Sequence, residues 1–201
     1  MNTTTLPLFL LRTVMFPGGP IPLRVFEPRY LDLVSDCMRN DHGFGICLAM
    51  PGDNTDSQNM PAGTGTEMRI SDFTRLEDGH LGITADGVRR FRIINQWQTR
   101  TGLWMAEVER LAAESPAPVP TNCRVLVRLL EALYSELGEP WTERELRYED
   151  ASWVGGRLVE ILPLEPEFKQ QLLEMHDPVE RLQRLLPVVR EQRSDETPEN
   201  E

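Results

Sequence analysis

The sequence predicts an α+β fold, in which a β-rich N-terminal part with one helix is followed by a helical C-terminal part. Three observations predict it. Over about the first 110 residues, apolar and polar residues alternate repeatedly, as on strands with one buried face. Pro116, Pro118 and Pro120 then follow at alternate positions, a spacing that excludes a helix or a central strand. Beyond them, apolar residues recur at helical spacing.

These patterns set the expected domain boundaries. We predict a β-rich subdomain over residues 1–115 and an α-helical subdomain over residues 116–192. Residues 193–201 are polar and acidic, and we expect them to form a disordered tail.

In the β-rich part, glycines and loop-forming residues mark the ends of the strands. Asp78-Gly79 and Asp86-Gly87 predict tight turns, because glycine adopts a positive φ at little cost. A strand is expected over residues 43–50, and a surface loop over residues 50–65, which are rich in Pro, Gly, Asn, Asp and Ser. Further strands are indicated by the alternating apolar residues Leu81 and Ile83, Phe91 and Ile93, and Trp104, Ala106 and Val108.

One helix is predicted within the β-rich part. Pro28 suits its first turn, where the missing N–H group has no partner to lose, and residues 40–42 end it. Its apolar positions at helical spacing are Leu31, Val34, Cys37 and Met38.

The C-terminal part predicts four helices. Gly155-Gly156 weakens the second, Pro166 opens the third, and Asp177 caps the fourth ahead of Pro178. Pro187 is expected either to kink the fourth helix or to shorten it. The first two carry the apolar residues Leu126, Leu129, Leu130, Leu133 and Leu137, and then Ala151, Val154, Leu158, Ile161 and Leu162.

Composition disfavours several classes of partner. The formal net charge of −11 argues against nucleic acid and against membrane surfaces, although Arg89, Arg90 and Arg92 form a local basic run. The three cysteines include no Cys-x-x-Cys pair, which suits a reducing compartment. The apolar run at residues 6–11 is too short to span a membrane. We therefore expect a cytoplasmic protein.

The residues that common catalytic sites require are missing from the sequence. The single lysine, Lys169, lies in no Gly-x-x-x-x-Gly-Lys-Ser/Thr motif, so the sequence contains no phosphate-binding P-loop. No Gly-x-Ser-x-Gly motif occurs, and His42, His80 and His176 do not stand at metal-ligand spacing. We expect no catalytic residue, no metal and no cofactor, and hence no enzyme.

Several ordered motifs resemble the substrate-binding N-terminal domain of the Lon protease family, over about residues 5–190. The opening motifs are Leu6-Pro7-Leu8-Phe9, Phe16-Pro17-Gly18-Gly19, Pro22-Leu23 and Phe26-Glu27-Pro28-Arg29-Tyr30. Later landmarks are Phe44-Gly45, Gly65-Thr66, Gly87 with Arg90-Phe91-Arg92-Ile93, and Leu162-Pro163-Leu164.

The resemblance implies a PUA-like pseudo-barrel followed by a helical bundle, as in a free-standing bacterial member without the ATPase and protease domains. It also implies a non-catalytic module that binds proteins or peptides, as an adaptor for proteolysis or protein quality control. Its partners would be unfolded or specific client proteins, and a protease or chaperone. The alternatives are a PUA-like module for small molecules or RNA, and a component of an ATP-dependent protease without activity of its own. The oligomeric state stays open.

Six residues are candidates for peptide binding: Phe26, Arg29, Tyr30, Met50, Met60 and Arg90. Methionine side chains adapt to varied shapes, and Arg90 suits acidic segments. Each also has a structural interpretation. Glu27 would cap the helix, Arg29 would pair with a carboxylate and Phe26 would fill core, as at ordinary helix starts. Arg90 and Arg92 would share a solvated sheet face with Glu107 and Glu109.

Overall fold

A computed structural model describes residues 3–52, 59–138, 141 and 145–195, and these contain six β-strands and five α-helices. The strands form one mixed sheet, which confirms the predicted α+β class. The strands are β1 (Thr3–Leu11), β2 (Pro20–Val25), β3 (Phe44–Met50), β4 (Met60–Arg75), β5 (Leu81–Gln98) and β6 (Trp104–Arg110). The helices are α1 (Pro28–Asn40), α2 (Arg124–Leu137), α3 (Ala151–Ile161), α4 (Pro166–Glu174) and α5 (Pro178–Asp195).

The sheet closes on itself through β5. Its strands run in the order β2-β5-β4-β3-β1-β6, and β6 also pairs with β5. Because β5 is 18 residues long, it can pair with β2 over residues 81–86 and with β6 over residues 91–98. Only β1 and β3 run parallel. This closure confirms the pseudo-barrel that the resemblance implied.

Two glycines on neighbouring strands make room for Phe91 inside the closed sheet. A Cβ atom on Gly65 would lie 2.5 Å from the Ile46 carbonyl oxygen and 2.7 Å from Phe91 Cζ. A Cβ atom on Gly45 would lie 2.6 Å from the same ring atom. These two sequence landmarks are therefore places where the strands and the buried ring approach too closely for a side chain.

Replacing Gly65 by alanine is expected to lower the free energy of unfolding by about 1–3 kcal/mol, because the methyl group must displace buried backbone or the Phe91 ring. Gly63→Ala, in the same strand, is the matched control, since no atom lies within 4 Å of its added Cβ. Alanine there is expected to be neutral or slightly stabilising. Urea denaturation followed by circular dichroism measures both, and equal effects would contradict the steric explanation.

The tight turn predicted at Asp86-Gly87 is wrong, since both residues lie within β5. Gly87 instead allows the turn at residues 16–19 to approach: a Cβ on it would lie 2.2 Å from the Phe16 carbonyl oxygen. The Gly18 N–H group donates to Gly87 O at 2.8 Å, and the Gly87 N–H group donates to Gly19 O at 2.9 Å. The glycine signalled a close approach between backbones, which sequence alone does not distinguish from a turn.

Helix α1 begins at Pro28 and ends at Asn40, as predicted. Its buried side packs in the core cluster of β1, β3 and β5, whereas Leu31 and Met38 are exposed. The expected capping by Glu27 is wrong, because its side chain makes no cap hydrogen bond. The carboxylate pairs with Arg29 instead.

The predicted C-terminal end of the loop over residues 50–65 is wrong. Residues 60–65 belong to β4, where Met60 pairs with Met50 and Pro61 pairs with Ala49 of β3. The polar and glycine-rich composition misled the prediction, because strand pairing compensates for weak local propensity. Residues 53–58, the middle of that loop, lie outside the described residues.

By contacts between Cα atoms, the chain divides into two compact units. The first comprises Met1–Ala113 and Pro163–Glu174, and the second comprises Glu114–Leu162 and Met175–Glu201. Helix α4 thus groups with the strands, whereas the sequence placed all residues after 115 with the helices. Within the first unit, the Gln170 side chain donates to the Thr64 carbonyl oxygen of β4 at 3.1 Å. A local helical pattern does not reveal which unit a helix packs on.

The second unit is a helical core that contains buried ion pairs. Arg157 pairs with Glu160 on α3, and Arg181 of α5 pairs with Glu114; both arginines are fully buried. Gly155 lets the stem of Arg181 pack closely, since a Cβ there would lie 3.2 Å from Arg181 Cδ. Gly155, which weakens a helix by propensity, therefore serves packing.

Helix α5 starts as predicted, since Asp177 Oδ1 accepts the Val179 N–H group at 2.8 Å. The helix contains Pro187 and continues to Asp195, into the first residues of the predicted tail. Residues 196–201 lie outside the described part, so disorder there stays a prediction. No helix among the described residues is long and apolar enough to cross a membrane.

Candidate functional site

A concavity with a volume of about 530 Å³ lies in the first unit, between the end of β1 and the start of α1. We call it the β1–α1 groove. Its apolar lining residues are Leu10, Leu11, Tyr30, Ala49 and Trp104. Its polar lining residues are Arg12, Glu27, Arg29 and Asn59. A concave lining that combines apolar side chains with convergent polar groups is typical of a binding site, and its volume is within the usual range.

Tyr30 forms a fixed wall of the groove. Its ring stacks on Phe9 of β1, with centroids 3.9 Å apart and planes 12° apart. Its hydroxyl oxygen accepts the Leu10 N–H group at 3.4 Å. Burial raises the pKa of Tyr30, so the phenol is neutral at physiological pH. Tyr30 therefore ties α1 to β1 and offers the groove only a limited surface.

Arg29 lines the groove, and its guanidinium is held by two partners. Its Nε atom donates to Glu27 Oε2 at 2.9 Å, and its Nη1 atom donates to the Gly102 carbonyl oxygen at 3.0 Å. The guanidinium carbon also lies 4.8 Å from the Tyr30 ring centroid, a cation–π distance. The predicted pairing of Arg29 with a carboxylate is confirmed, and this pairing holds the side chain in one place.

Trp104 also lines the groove. It begins β6, where it pairs with Leu8 of β1 and with Gln98 of β5. Its indole N–H group donates to the Asn59 carbonyl oxygen at 3.1 Å. This bond fixes the ring beside the start of β4, where it forms part of the groove lining.

The six candidate residues separate in the structure. Arg29 and Tyr30 line the groove. Met50 and Met60 face each other across the β3–β4 pair, next in the chain to the lining residues Ala49 and Asn59. Phe26 lies outside the groove and is 59% exposed. Its ring meets the His80 ring edge-on, with the two ring centroids 6.2 Å apart.

Arg90 also lies outside the groove, and its predicted solvated sheet face is wrong. The side chain is buried, and Nη1 donates to the Leu173 carbonyl oxygen at 2.6 Å, in the last turn of α4. Cations favour that end of a helix. Arg92 does lie on the exposed face, where it pairs loosely with Glu109 at 3.9 Å.

Sequence patterns missed Trp104 and Arg12. Alternation assigned Trp104 to a buried strand face together with Ala106 and Val108, and nothing in the local sequence set Arg12 apart. Both residues enter the groove only because β6 pairs beside β1 and because the chain turns after Leu11. No local signal could have found them.

No group of three or more His, Cys, Asp or Glu residues within the described ranges is arranged to hold a metal ion. Lys169 is buried on α4. Burial raises the pKa of the Cys37 thiol to about 12 and also raises that of Cys47. Because the thiolate is the nucleophile, these cysteines are unreactive at neutral pH.

Comparisons with known proteins agree with one another. The family described as "ATP-dependent protease La (LON) substrate-binding domain" matches residues 5–191. The chain is 24% identical to "Lon protease" of Anaeromyxobacter dehalogenans over 94% of its own length and 23% of that protein. It is 30% identical to "Lon protease 2" of Myxococcus xanthus over 44% of its length and 11% of that protein. The chain thus spans about a quarter or less of these curated relatives.

Two solved structures are similar. The crystal structure of a Lon N-terminal domain protein from Xanthomonas campestris is 39% identical, with a TM-score of 0.74, over 92% of this chain and 98% of that one. The N-terminal domain of a Mycobacterium avium complex Lon protease is 19% identical, with a TM-score of 0.62, over 92% of this chain and 97% of that one. At that identity the second structure supports the fold alone.

Proposed function

This chain belongs to the Lon substrate-binding domain family, and from that premise we propose that it recognises protein substrates without catalysing a reaction on them. The site we assign to this role is the β1–α1 groove, and its occupant would be an extended segment of an unfolded protein. The observation that carries the proposal is the lining, in which five apolar side chains and four polar ones share one concavity.

The chemistry of the groove suits an unfolded segment better than a folded surface. An unfolded chain exposes apolar side chains that a native protein buries, and these gain free energy when they leave water. The Trp104 ring and the side chains of Leu10 and Leu11 supply such a surface. The carboxylate of Glu27 and the amide of Asn59 offer hydrogen bonds to the backbone of the segment.

Binding of clients by this chain would assist a second protein that acts on them. We propose that the chain delivers clients to an ATP-dependent protease or a chaperone, in a cytoplasmic setting. The three cysteines of the chain are buried free thiols, which suits a reducing compartment. A reconstituted degradation assay, with and without this chain, tests the delivery step separately from binding.

The binding test places a charge in the groove. Ala49→Glu is expected to weaken binding of a reduced, carboxymethylated model protein by about tenfold or more, because the longer, charged side chain takes up space in the groove and makes its surface less favourable for apolar side chains of the segment. Ala112→Glu, at an exposed position outside the groove, makes the same charge change and is the control. Isothermal titration calorimetry measures both variants.

The native, disulfide-intact form of the same model protein serves as the second ligand. Binding of the unfolded form alone, weakened by Ala49→Glu and unchanged by Ala112→Glu, supports the proposal. Absence of binding to the unfolded form would sink it. Equal loss in both glutamate variants would show that net charge, and not the groove, governs binding.

A further inference from the structure

Arg12 stands at the mouth of the β1–α1 groove, exposed, and makes no hydrogen bond or ion pair with any other described residue. It differs in this from Arg29, whose guanidinium is held by Glu27 and by the Gly102 carbonyl oxygen. The charge of Arg29 is already compensated within the protein, whereas that of Arg12 is available to a ligand.

The net charge of the groove lining is therefore opposite in sign to that of the whole chain. Its lining contains two arginines and one glutamate, one excess positive charge, in a chain of net charge −11. Charges at a binding site steer partners and select among them more than they add affinity. A local excess of positive charge against an acidic background selects for negative charge on the ligand.

We infer that the groove selects segments that carry a carboxylate next to an apolar side chain. The inference rests on the proposed function and names the class of segment that this site takes. The apolar side chain would occupy the surface formed by Leu10, Leu11 and Trp104, and the carboxylate would pair with Arg12 at the rim. Guanidinium and carboxylate are matched in shape, since two parallel N–H groups can donate to two oxygens.

The electrostatic field of the whole chain and the proposed local preference act in opposite directions, so one experiment can distinguish them. A chain of net charge −11 attracts basic peptides and repels acidic ones at long range. A preference for acidic peptides must consequently come from a local group, and Arg12 is the lining cation that no described residue neutralises.

The experiment uses three peptides of equal length with blocked ends and the same Leu-Phe-Leu centre, flanked by Asp, Asn or Lys residues. Titration calorimetry against the full chain at low salt should give the tightest binding for the Asp peptide and the weakest for the Lys peptide. Arg12→Gln should reduce the preference for Asp over Asn by up to about fivefold, the range of an exposed ion pair. Arg12→Glu should reverse the order.

Arg39→Glu is the matched control, because it makes the same charge change in the last turn of α1, outside the groove lining. At about 1.5 Å per residue, helix geometry places it roughly 15 Å from Arg29. A preference for Asp that survives in Arg39→Glu, is lost in Arg12→Gln and is reversed in Arg12→Glu supports the inference.

Three other outcomes are informative. Equal affinity for all three peptides would overturn the inference and leave the proposed function standing. An Asp preference that persists in Arg12→Gln would overturn it too, because the selectivity would then have another source. If no peptide and no unfolded protein binds, both proposals fail together.

Discussion

Glu114→Ala is expected to lower the free energy of unfolding by about 3–5 kcal/mol, because it leaves the guanidinium of Arg181 buried without its carboxylate. Arg181 has no exposed surface, and both terminal nitrogens donate to Glu114. Its Nη2 atom also donates to the Met175 carbonyl oxygen at 2.9 Å, and this bond does not replace the lost negative charge. Urea denaturation of the full chain, followed by circular dichroism, measures the change.

A solvent-exposed arginine–glutamate pair of the same unit is the control for burial. Arg124 donates to both carboxylate oxygens of Glu149, at 2.7 and 2.6 Å, so the pair resembles the buried one in geometry. Because both partners are exposed, we expect Glu149→Ala to change stability by a small fraction of the Glu114→Ala effect. Similar losses in the two variants would show that burial does not govern the cost.

Phe91→Ala is expected to lower the free energy of unfolding by about 3–5 kcal/mol, because it opens a cavity at the centre of the closed sheet. The ring is fully buried and fills the space over Gly45 and Gly65, so neighbouring side chains cannot collapse into its place without moving backbone. Denaturation midpoints and slopes, taken together, separate lost stability from a change in the surface exposed on unfolding.

Phe73→Ala is the control for this substitution, since Phe73 lies in the neighbouring strand β4 and is 60% exposed. It should cost no more than about 0.5 kcal/mol, the usual range at surfaces. A double variant adds a stricter check. In a Phe91→Ala background the cost of Gly65→Ala should fall, but not vanish, because the Ile46 carbonyl oxygen still lies 2.5 Å from the new Cβ. Strict additivity would contradict the contact between residues 65 and 91.

The opening motif shows how far local rules reach. The sequence predicted the start of α1 at Pro28, and the structure has it there; Gly18 of the same opening motif adopts a φ of 79°. Proline and glycine restrict or free the backbone at their own positions, so their effects are visible without the fold. The same motif did not show that Arg29 would be held at the groove by Gly102, since Gly102 lies in a hairpin far away in the sequence.

Two Asp-Gly pairs predicted tight turns, and only one of them forms a turn in the structure. Gly79 does form the predicted turn, with a φ of 85°. Gly87, with the same kind of sequence context, lies inside β5 and admits the Phe16 backbone. Both positions exclude a side chain, but one for conformation and the other for space, and only the neighbouring chain distinguishes the two.

By itself the sequence determined the α+β class, the first helix and the resemblance to the Lon substrate-binding family, because periodicity, prolines and motif order are local. The tertiary structure decided that β6 closes on β5, that Arg90 is buried under the end of α4, and that Arg12 and Trp104 share one groove with Arg29. Each of these depends on strand pairing between residues far apart in the chain. A local pattern records which face of an element is apolar, but not which element will cover it.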